Sequence, residues 1–460
     1  MDTSSRSGVE DHGDAGNTSA DDASAAGEPR AGRAAAGGRG AGPPAAAPPR
    51  GWRRFAMDTR PLRRPAYRRL WSSTIVTAVG SQLTAVAVPK QIYDITGSSA
   101  WVGYASLAGL VPMVVFALWG GAVADSVDRR KLLLVTNTGI AVTSVLFWVQ
   151  AAAGLDSVAV LMVLLALQQA FFGLNSPART ASVARLVPEE ELPAANALGS
   201  TVMQTGLVAG PLLAGALIPV VGLPELYLID ALALCATVWA VWRLPALPPL
   251  DGGRAPRRAG VREVVDGFRY IGMQQVLLLS FVADIIAMVF GMPRALFPQM
   301  AEETFGSYGP EFALGLLFAA IPVGAVIGGL LSGTFSRARR HGWMVIGSVV
   351  GWGLAVVGFG LTSNLWVAVA CLAAGGVADM VSMVFRGAIL LSAATDEMRG
   401  RMQGVFTVVV AGGPRLADVL HGTAAAGAGT RWAVVGGGAL VVLLTLGLAV
   451  VSPALRRYRV

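Results

Sequence analysis

The sequence is poor in charge. Of its 460 residues only 14% are Asp, Glu, Lys or Arg, against 54% hydrophobic, and mean hydropathy is +0.59. A soluble domain is about one-quarter charged, so this balance points to a polytopic membrane protein. Cysteine is nearly absent: Cys235 and Cys371 both lie in apolar runs, which excludes a disulfide framework and a cysteine zinc site. The three histidines form no HExxH, which excludes a zinc protease of that type. Lysine occurs only at Lys90, before Gln, and Lys131, before Leu, so neither completes a phosphate-binding loop and an ATP-driven pump is excluded. A filter-like loop of a channel is missing too. Neither enzyme chemistry nor a metal or cofactor is expected.

What the chain has is long apolar runs, each of the ~20 residues that span a bilayer as a helix. Twelve are predicted, at about 70–94, 101–124, 131–152, 157–177, 194–219 and 226–243, then 276–298, 310–334, 343–362, 365–388, 404–425 and 432–451. One long interruption, 244–275, is basic and rich in Pro and Gly, and it divides them six and six. The expected organisation is a tail (1–66), a six-helix bundle (67–243), a linker (244–275), a second bundle (276–451) and a short tail (452–460). The first ~50 residues are rich in Ala, Gly, Pro and Ser, bury too little to offset chain entropy and are expected to be disordered. MDTRPLRRPAYRRLW, from Met57, would itself make a natural beginning.

The basic residues set an orientation. They cluster before the first run (Arg60, Arg63, Arg64, Arg68, Arg69), after the second (Arg129, Arg130, Lys131) and fourth (Arg179, Arg185), and in the linker (Arg254, Arg257, Arg258, Arg262, Arg269). They recur after the eighth (Arg337, Arg339, Arg340) and tenth (Arg386, Arg399, Arg401), and at the end (Arg456, Arg457, Arg459). The alternate connections GLDS, VGLPE and TSN carry no base. By the positive-inside rule both termini are cytoplasmic in a cell membrane. The net charge of +8 is then a topology and anionic-lipid signal, and no nucleic-acid partner is needed.

The two halves repeat each other. VPKQIY (88–93) resembles MPRALF (292–297), with Pro89 against Pro293 and Lys90 against Arg294, an offset of 204 residues. PARTASVARLVPEEELPAAN resembles FRGAILLSAATDEMRGRMQ, with Arg179 against Arg386 at an offset of 207. Parallel repeats about an axis along the membrane normal mark one large transporter architecture.

GGAVADSVDRRKLLL (120–134) places Gly121, Asp125, Asp128, Arg129 and Arg130 between the second and third runs. Gly121 would permit close approach of a neighbouring helix. Asp125 is placed to meet a helix N-terminus or an Arg where the dielectric is low. Here the chain resembles the major facilitator superfamily, whose hallmark loop is Gly, three residues, Asp, Arg, any, Gly and two bases. Gly121, Asp125, Arg129 and Arg130 match, while Ser126 and Asp128 depart. The resemblance implies an all-α membrane protein of twelve transmembrane helices in two six-helix bundles, with this loop as an intracellular latch. GLVAGPLLAG, with Gly206, Gly210, Pro211 and Gly215, is similar to a span 5 packing motif associated with drug–proton antiporters. ADIIAMVFGMPRALFP and DEMRGRMQGVF resemble the branch that contains the enterobactin exporter and related bacterial drug and macrolide efflux proteins. That implies a monomeric bacterial plasma-membrane exporter of a siderophore, drug or other amphipathic molecule, by alternating access, with a proton gradient as energy source. An importer of a small metabolite, or a scaffold that has lost transport, is the alternative.

Ionisable residues inside spans are costly and tend to be functional. Asp284, eight residues into span 7, is expected to be an unpaired midplane acid and the proton-coupling group, the alternative being a structural ion pair or a hydrogen-bonded packing contact. Arg415 and Asp418, three apart on one helical face, are expected to pair at the midplane, where they hold the halves together, bind an anionic or catecholate-like substrate, take part in proton transfer, or form a satisfied structural pair; His421 is expected to be solvated near the outer end. The family's arrangement of spans 1, 4, 7 and 10 around the cavity implies that Asp379, Gln82, Gln168 and Gln169 face substrate. Lys90 and Arg294 are expected near the outer interface, as structural or outer-gate residues that snorkel. Asp230, near the end of span 6, is assigned no role.

Overall fold

The computed structural model describes residues 57–248, 269–335, 337–393 and 396–458. The first 56 residues, most of the linker with Arg254, Arg257, Arg258 and Arg262, and the side chains of Asp125, Arg399 and Arg401 lie outside the described residues.

Among the described residues twelve long helices follow one another: α1 (Pro65–Thr96), α2 (Ser99–Ser126), α3 (Arg129–Ala152), α4 (Val158–Leu186), α5 (Leu192–Val221) and α6 (Leu223–Trp242), then α7 (Gln275–Phe290), α8 (Pro310–Leu330), α9 (His341–Leu361), α10 (Leu365–Ala393), α11 (Asp396–Ala428) and α12 (Thr430–Val451). No strand occurs among the described residues. Ten segments, with α7 counted on through Glu303, are long and apolar enough to cross a membrane on composition alone, and α1 and α11 complete the twelve among the described residues. Helix ends follow turn chemistry: Gly97, Gly222 and Gly429 take positive φ where helices meet in tight turns. Large apolar side chains such as Trp119, Val163 and Leu330 are exposed, as expected of a surface whose solvent is lipid.

Since lipid is as apolar as the helices, their association depends on packing and small residues. Within the first half α1 packs on α5 and α6, α2 on α4, and α3 on α4 and α6; within the second, α8 packs on α10 and α9 on α10 and α12. The halves meet through α2 against α11 and α5 against α8. A methyl at Gly422 would stand 2.4 Å from the Ser99 carbonyl oxygen, and one at Gly315 would stand 2.7 Å from that of Pro211, so backbones touch directly there. Both contacts lie at the end where α1 turns into α2.

Span 7 departs from expectation. The predicted continuous helix 276–298 stops at Phe290, and a one-turn segment Arg294–Leu296 leads into a short helix Phe297–Glu303. Gly291 caps α7, its N–H bonding the Ala287 carbonyl at 3.0 Å, and Pro293 has no N–H to continue the ladder; Trp352 of α9 donates its indole N–H to the same carbonyl at 3.2 Å. Pro89, in the matching motif of α1, is accommodated within an unbroken helix.

Candidate transport cavity

Two adjoining cavities, of about 340 and 380 Å³, are lined from both halves. They share Ala85, Pro89, Val102, Ser106, Arg294 and Arg415. α1 contributes Gln82 and α4 contributes Gln168 and Gln169, so these three amides do reach the cavity. The rest of the wall is largely apolar, with Val88, Ile92, Leu165 and Phe172.

Arg294 is a correction. It faces the cavity rather than snorkelling to the interface, because the break after Phe290 redirects the chain. Arg415 enters the same space from α11, its Nη1 3.2 Å from the Met113 sulfur. Neither arginine forms an ion pair among the described residues. The expected Arg415–Asp418 pair is absent there too. Asp418 Oδ2 instead accepts from the Ser106 hydroxyl at 2.7 Å and Oδ1 from the Ala295 N–H at 3.2 Å. It thereby ties α11 to α2 and to the segment carrying Arg294. His421 is buried rather than solvated, its Nδ1 3.0 Å from the Ala417 carbonyl.

Asp284 is the second correction, since it is paired and stands away from the cavity. Its carboxylate contacts Arg386, which the sequence places after span 10 but which α10 carries as a buried residue. Asp379, expected to face substrate, has a carboxylate oxygen 3.9 Å from Arg386 Nη2. Ser280 and Leu390 close the surroundings. This cluster belongs wholly to the second half.

The residue that sequence reasoning passed over is Asp230. It is the eighth residue of α6, 1% exposed, and lines the cavity of about 340 Å³ together with the three amides. Its Oδ2 accepts from Thr84 at 2.8 Å and Ser144 at 2.9 Å, and Gln168 donates to the same Ser144 hydroxyl at 3.1 Å. Oδ1 has no hydrogen-bond partner, and no cation pairs with Asp230 among the described residues. An acid eight residues into an apolar helix was signal enough; its apparent nearness to a helix end concealed it.

The profile described as transmembrane secretion effector matches residues 56–458. The chain belongs to the major facilitator superfamily. It is 30% identical over 403 residues to the enterobactin exporter EntS of Shigella boydii, covering 86% of this chain and 94% of that one. The enterobactin exporter EntS of Citrobacter koseri is 29% identical over 398 residues, with the same coverage. Among solved structures, the nucleoside transporter NupG superposes with a TM-score of 0.67 at 12% identity, over 86% of this chain and 100% of that one. A bacterial homologue of the human lysosomal transporter Spinster, inward-facing and unoccupied, gives 0.61 at 15% identity, over 87% and 97%. These structures share its fold.

In this major facilitator transporter the α1–α2 end carries a polar latch between the halves. Lys90, 8% exposed, reaches Asp94 at 2.9 Å on its own helix, and Glu302 at 3.2 Å and Glu311 at 3.9 Å across the gap. Tyr93 donates to Glu303 at 3.1 Å and Ser99 to Gln299 at 2.8 Å. At the opposite end the α2–α3 loop has contacts to its own half and to the start of the linker. Asp128 caps α3 through the Arg130 N–H at 2.9 Å and accepts from the Leu247 N–H at 3.1 Å. Arg129 donates to the carbonyls of Ala124 at 3.2 Å and Ala181 at 3.1 Å, and Arg130 to that of Trp242. Gly121 faces open space, and the close approach falls at Gly120, where a methyl would stand 2.9 Å from Pro177 Cγ. In α5, a methyl at Gly206 would stand 3.0 Å from Ala78 of α1, one at Gly210 2.3 Å from Gln82 of α1, and one at Gly215 2.7 Å from the Glu311 oxygen of α8. That helix is therefore a packing spine with Pro211 inside it.

Proposed function

We propose that the protein exports an anionic, amphipathic small molecule across a bacterial cell membrane by alternating access, driven by proton entry. The observation that carries this reading is the pair Arg294 and Arg415, two guanidiniums that form no ion pair among the described residues, in a largely apolar and amide-lined cavity whose acids, Asp230 and Asp418, are each held by hydroxyl or backbone donors instead. Fixed positive charge in a low-dielectric cleft selects anions, while Phe172, Ile92 and the glutamines suit a ring-bearing molecule with hydroxyl or carbonyl groups. A siderophore of phenolate character, or an acidic drug, fits this description, and likeness to enterobactin exporters supports export. The arginine distribution favours a cytoplasmic α2–α3 end. Latched at the α1–α2 end, the protein would then load from the cytoplasm. Asp230, uncompensated by a cation and lining the cavity, takes the proton-coupling role that the sequence suggests for Asp284.

Transport in proteoliposomes, with and without a pH gradient, tests this with a catecholate siderophore, a macrolide and a dye. The anionic substrate is expected to accumulate only with the gradient. Arg294→Ala and Arg415→Ala each raise its half-saturating concentration by roughly tenfold or more, the scale of a lost charge-assisted hydrogen bond. Asp230→Asn is expected to bind substrate but not to concentrate it. Accumulation indifferent to the gradient overturns proton coupling, and unchanged affinity in both arginine variants overturns the substrate class. Transport only in the import direction overturns export.

A further inference from the structure

The second half ends in a feature unrelated to the cavity. After α12 the short helix Pro453–Arg457 folds back onto the start of α9, and its place is fixed by packing. Leu455 is fully buried, Gly342 has no room for a methyl beside the Leu455 carbonyl, and the Tyr458 hydroxyl lies 2.8 Å from that of Ser392 on α10. Arg456 and Arg457 are thereby held beside Arg340, the residue that precedes α9, around a concave opening with Trp343 at its rim. None of the three arginines pairs with an acid among the described residues, and Trp343 is 47% exposed.

Three arginines lining one opening, with no acid paired to them among the described residues, repel one another and favour an anion between them. The opening lies where α9 begins and α12 ends, at the boundary of the spanning region, where an exposed tryptophan marks the headgroup level. Guanidinium groups match phosphate oxygens by paired N–H donors. We infer that Arg340, Arg456 and Arg457, with Trp343, form a binding site for a phosphate-bearing anion, with an acidic membrane lipid as its first source and a soluble phosphate as its second. The C-terminal helix is then an anchor that lets acidic lipid hold the second half at its α8–α9 end.

Native mass spectrometry of the full chain in neutral detergent reads this directly. The probes are phosphatidylglycerol, phosphatidylcholine and inorganic phosphate, added separately. Phosphatidylglycerol is expected to remain bound where phosphatidylcholine does not. Its affinity is expected to fall by about fivefold for each arginine removed, and so on the order of 100-fold in the R340Q/R456Q/R457Q variant. Retention of inorganic phosphate alone upholds the site and assigns it to a soluble ligand. Equal retention of the two lipids without phosphate binding, or equal binding by wild type and variant, overturns the inference. R340Q alone changes an exposed side chain, so its fivefold loss tests the site even where the triple variant folds poorly.

Discussion

Removing the carboxylate of Asp284 leaves Arg386 buried with, among the described residues, only Asp379, 3.9 Å away, to answer its charge. Breaking one side of a buried pair costs about 3–5 kcal/mol, whereas replacing both members by apolar residues is often neutral. Asp284→Asn is therefore expected to lower the amount of folded protein in the membrane, and Asp284→Leu with Arg386→Leu to restore it. Immunoblots of membranes, read beside transport by the double variant, separate two roles. Restored abundance with restored transport marks a structural pair, and restored abundance without transport returns a coupling role to Asp284. Normal abundance of Asp284→Asn alone would contradict the structural account. At this scale the sequence shows which residues are costly but not their partners. Arg386 looks like a loop base because it stands at the end of an apolar run, yet α10 continues to Ala393 and carries it into the interior. Arg294 looks like an interfacial base because a continuous span 7 would carry it there, and the break after Phe290 was not visible in hydropathy. Asp230 was legible in principle, as a lone acid in an apolar helix, but its hydroxyl partners come from α1 and α3, about 80 or more residues away in sequence.

Helices meet where side chains are smallest, and those places are specific. Gly215 of α5 and Gly315 of α8 face each other, so a methyl on either would stand 2.9 Å from the other's Cα. Gly315→Ala requires the two helices to separate, and overpacking of this kind costs about 1–3 kcal/mol. That cost falls on the arrangement closed at the α1–α2 end, shifting it by roughly 5- to 150-fold against the open one. Spin-label distances between α5 and α8 are expected to lengthen, while distances within the first half stay as they are. Unchanged distances would mean that this contact does not hold the halves together. The twelve helices themselves were legible, because a run of ~20 apolar residues has few alternatives in a bilayer. Most of their ends fall within a few residues of the hydropathy estimate; α4, α10 and α11 run further, where polar turns extend past the apolar run. The packing spine of α5 was legible as well, since small residues three or four apart mark a contact face. The tight glycine of α2 was misplaced by one residue, at Gly121 instead of Gly120, because adjacent glycines give no sign of which face meets a neighbour.

The alternating access proposed for this protein requires the halves to part at the α1–α2 end once in every cycle, and the latch of Lys90, Tyr93 and Ser99 with Glu302, Glu303, Glu311 and Gln299 then has to break. The repeat of six and six helices and the superfamily were readable from the sequence, but this latch was not. Only Lys90 stood out, and its acidic partners lie past a break in α7 that hydropathy smooths over. Joining the two sides covalently is expected to stop transport without emptying the cavity of substrate. Ser99 and Gln299 are suited to this, with their side chains in hydrogen-bond contact at 2.8 Å and each on a different half. Cys235 is exposed and Cys371 partly so, and both are replaced first, as Cys235→Ser and Cys371→Ala. With Ser99→Cys and Gln299→Cys in that background, a short bis-thiosulfonate reagent is expected to abolish transport in proteoliposomes. Substrate binding should survive, because Arg294, Arg415 and the glutamines keep their places. Reduction should restore the rate. Loss of binding together with transport would point to distortion of the cavity. Full transport by the cross-linked protein would show that the halves need not separate here, and that substrate leaves by another route.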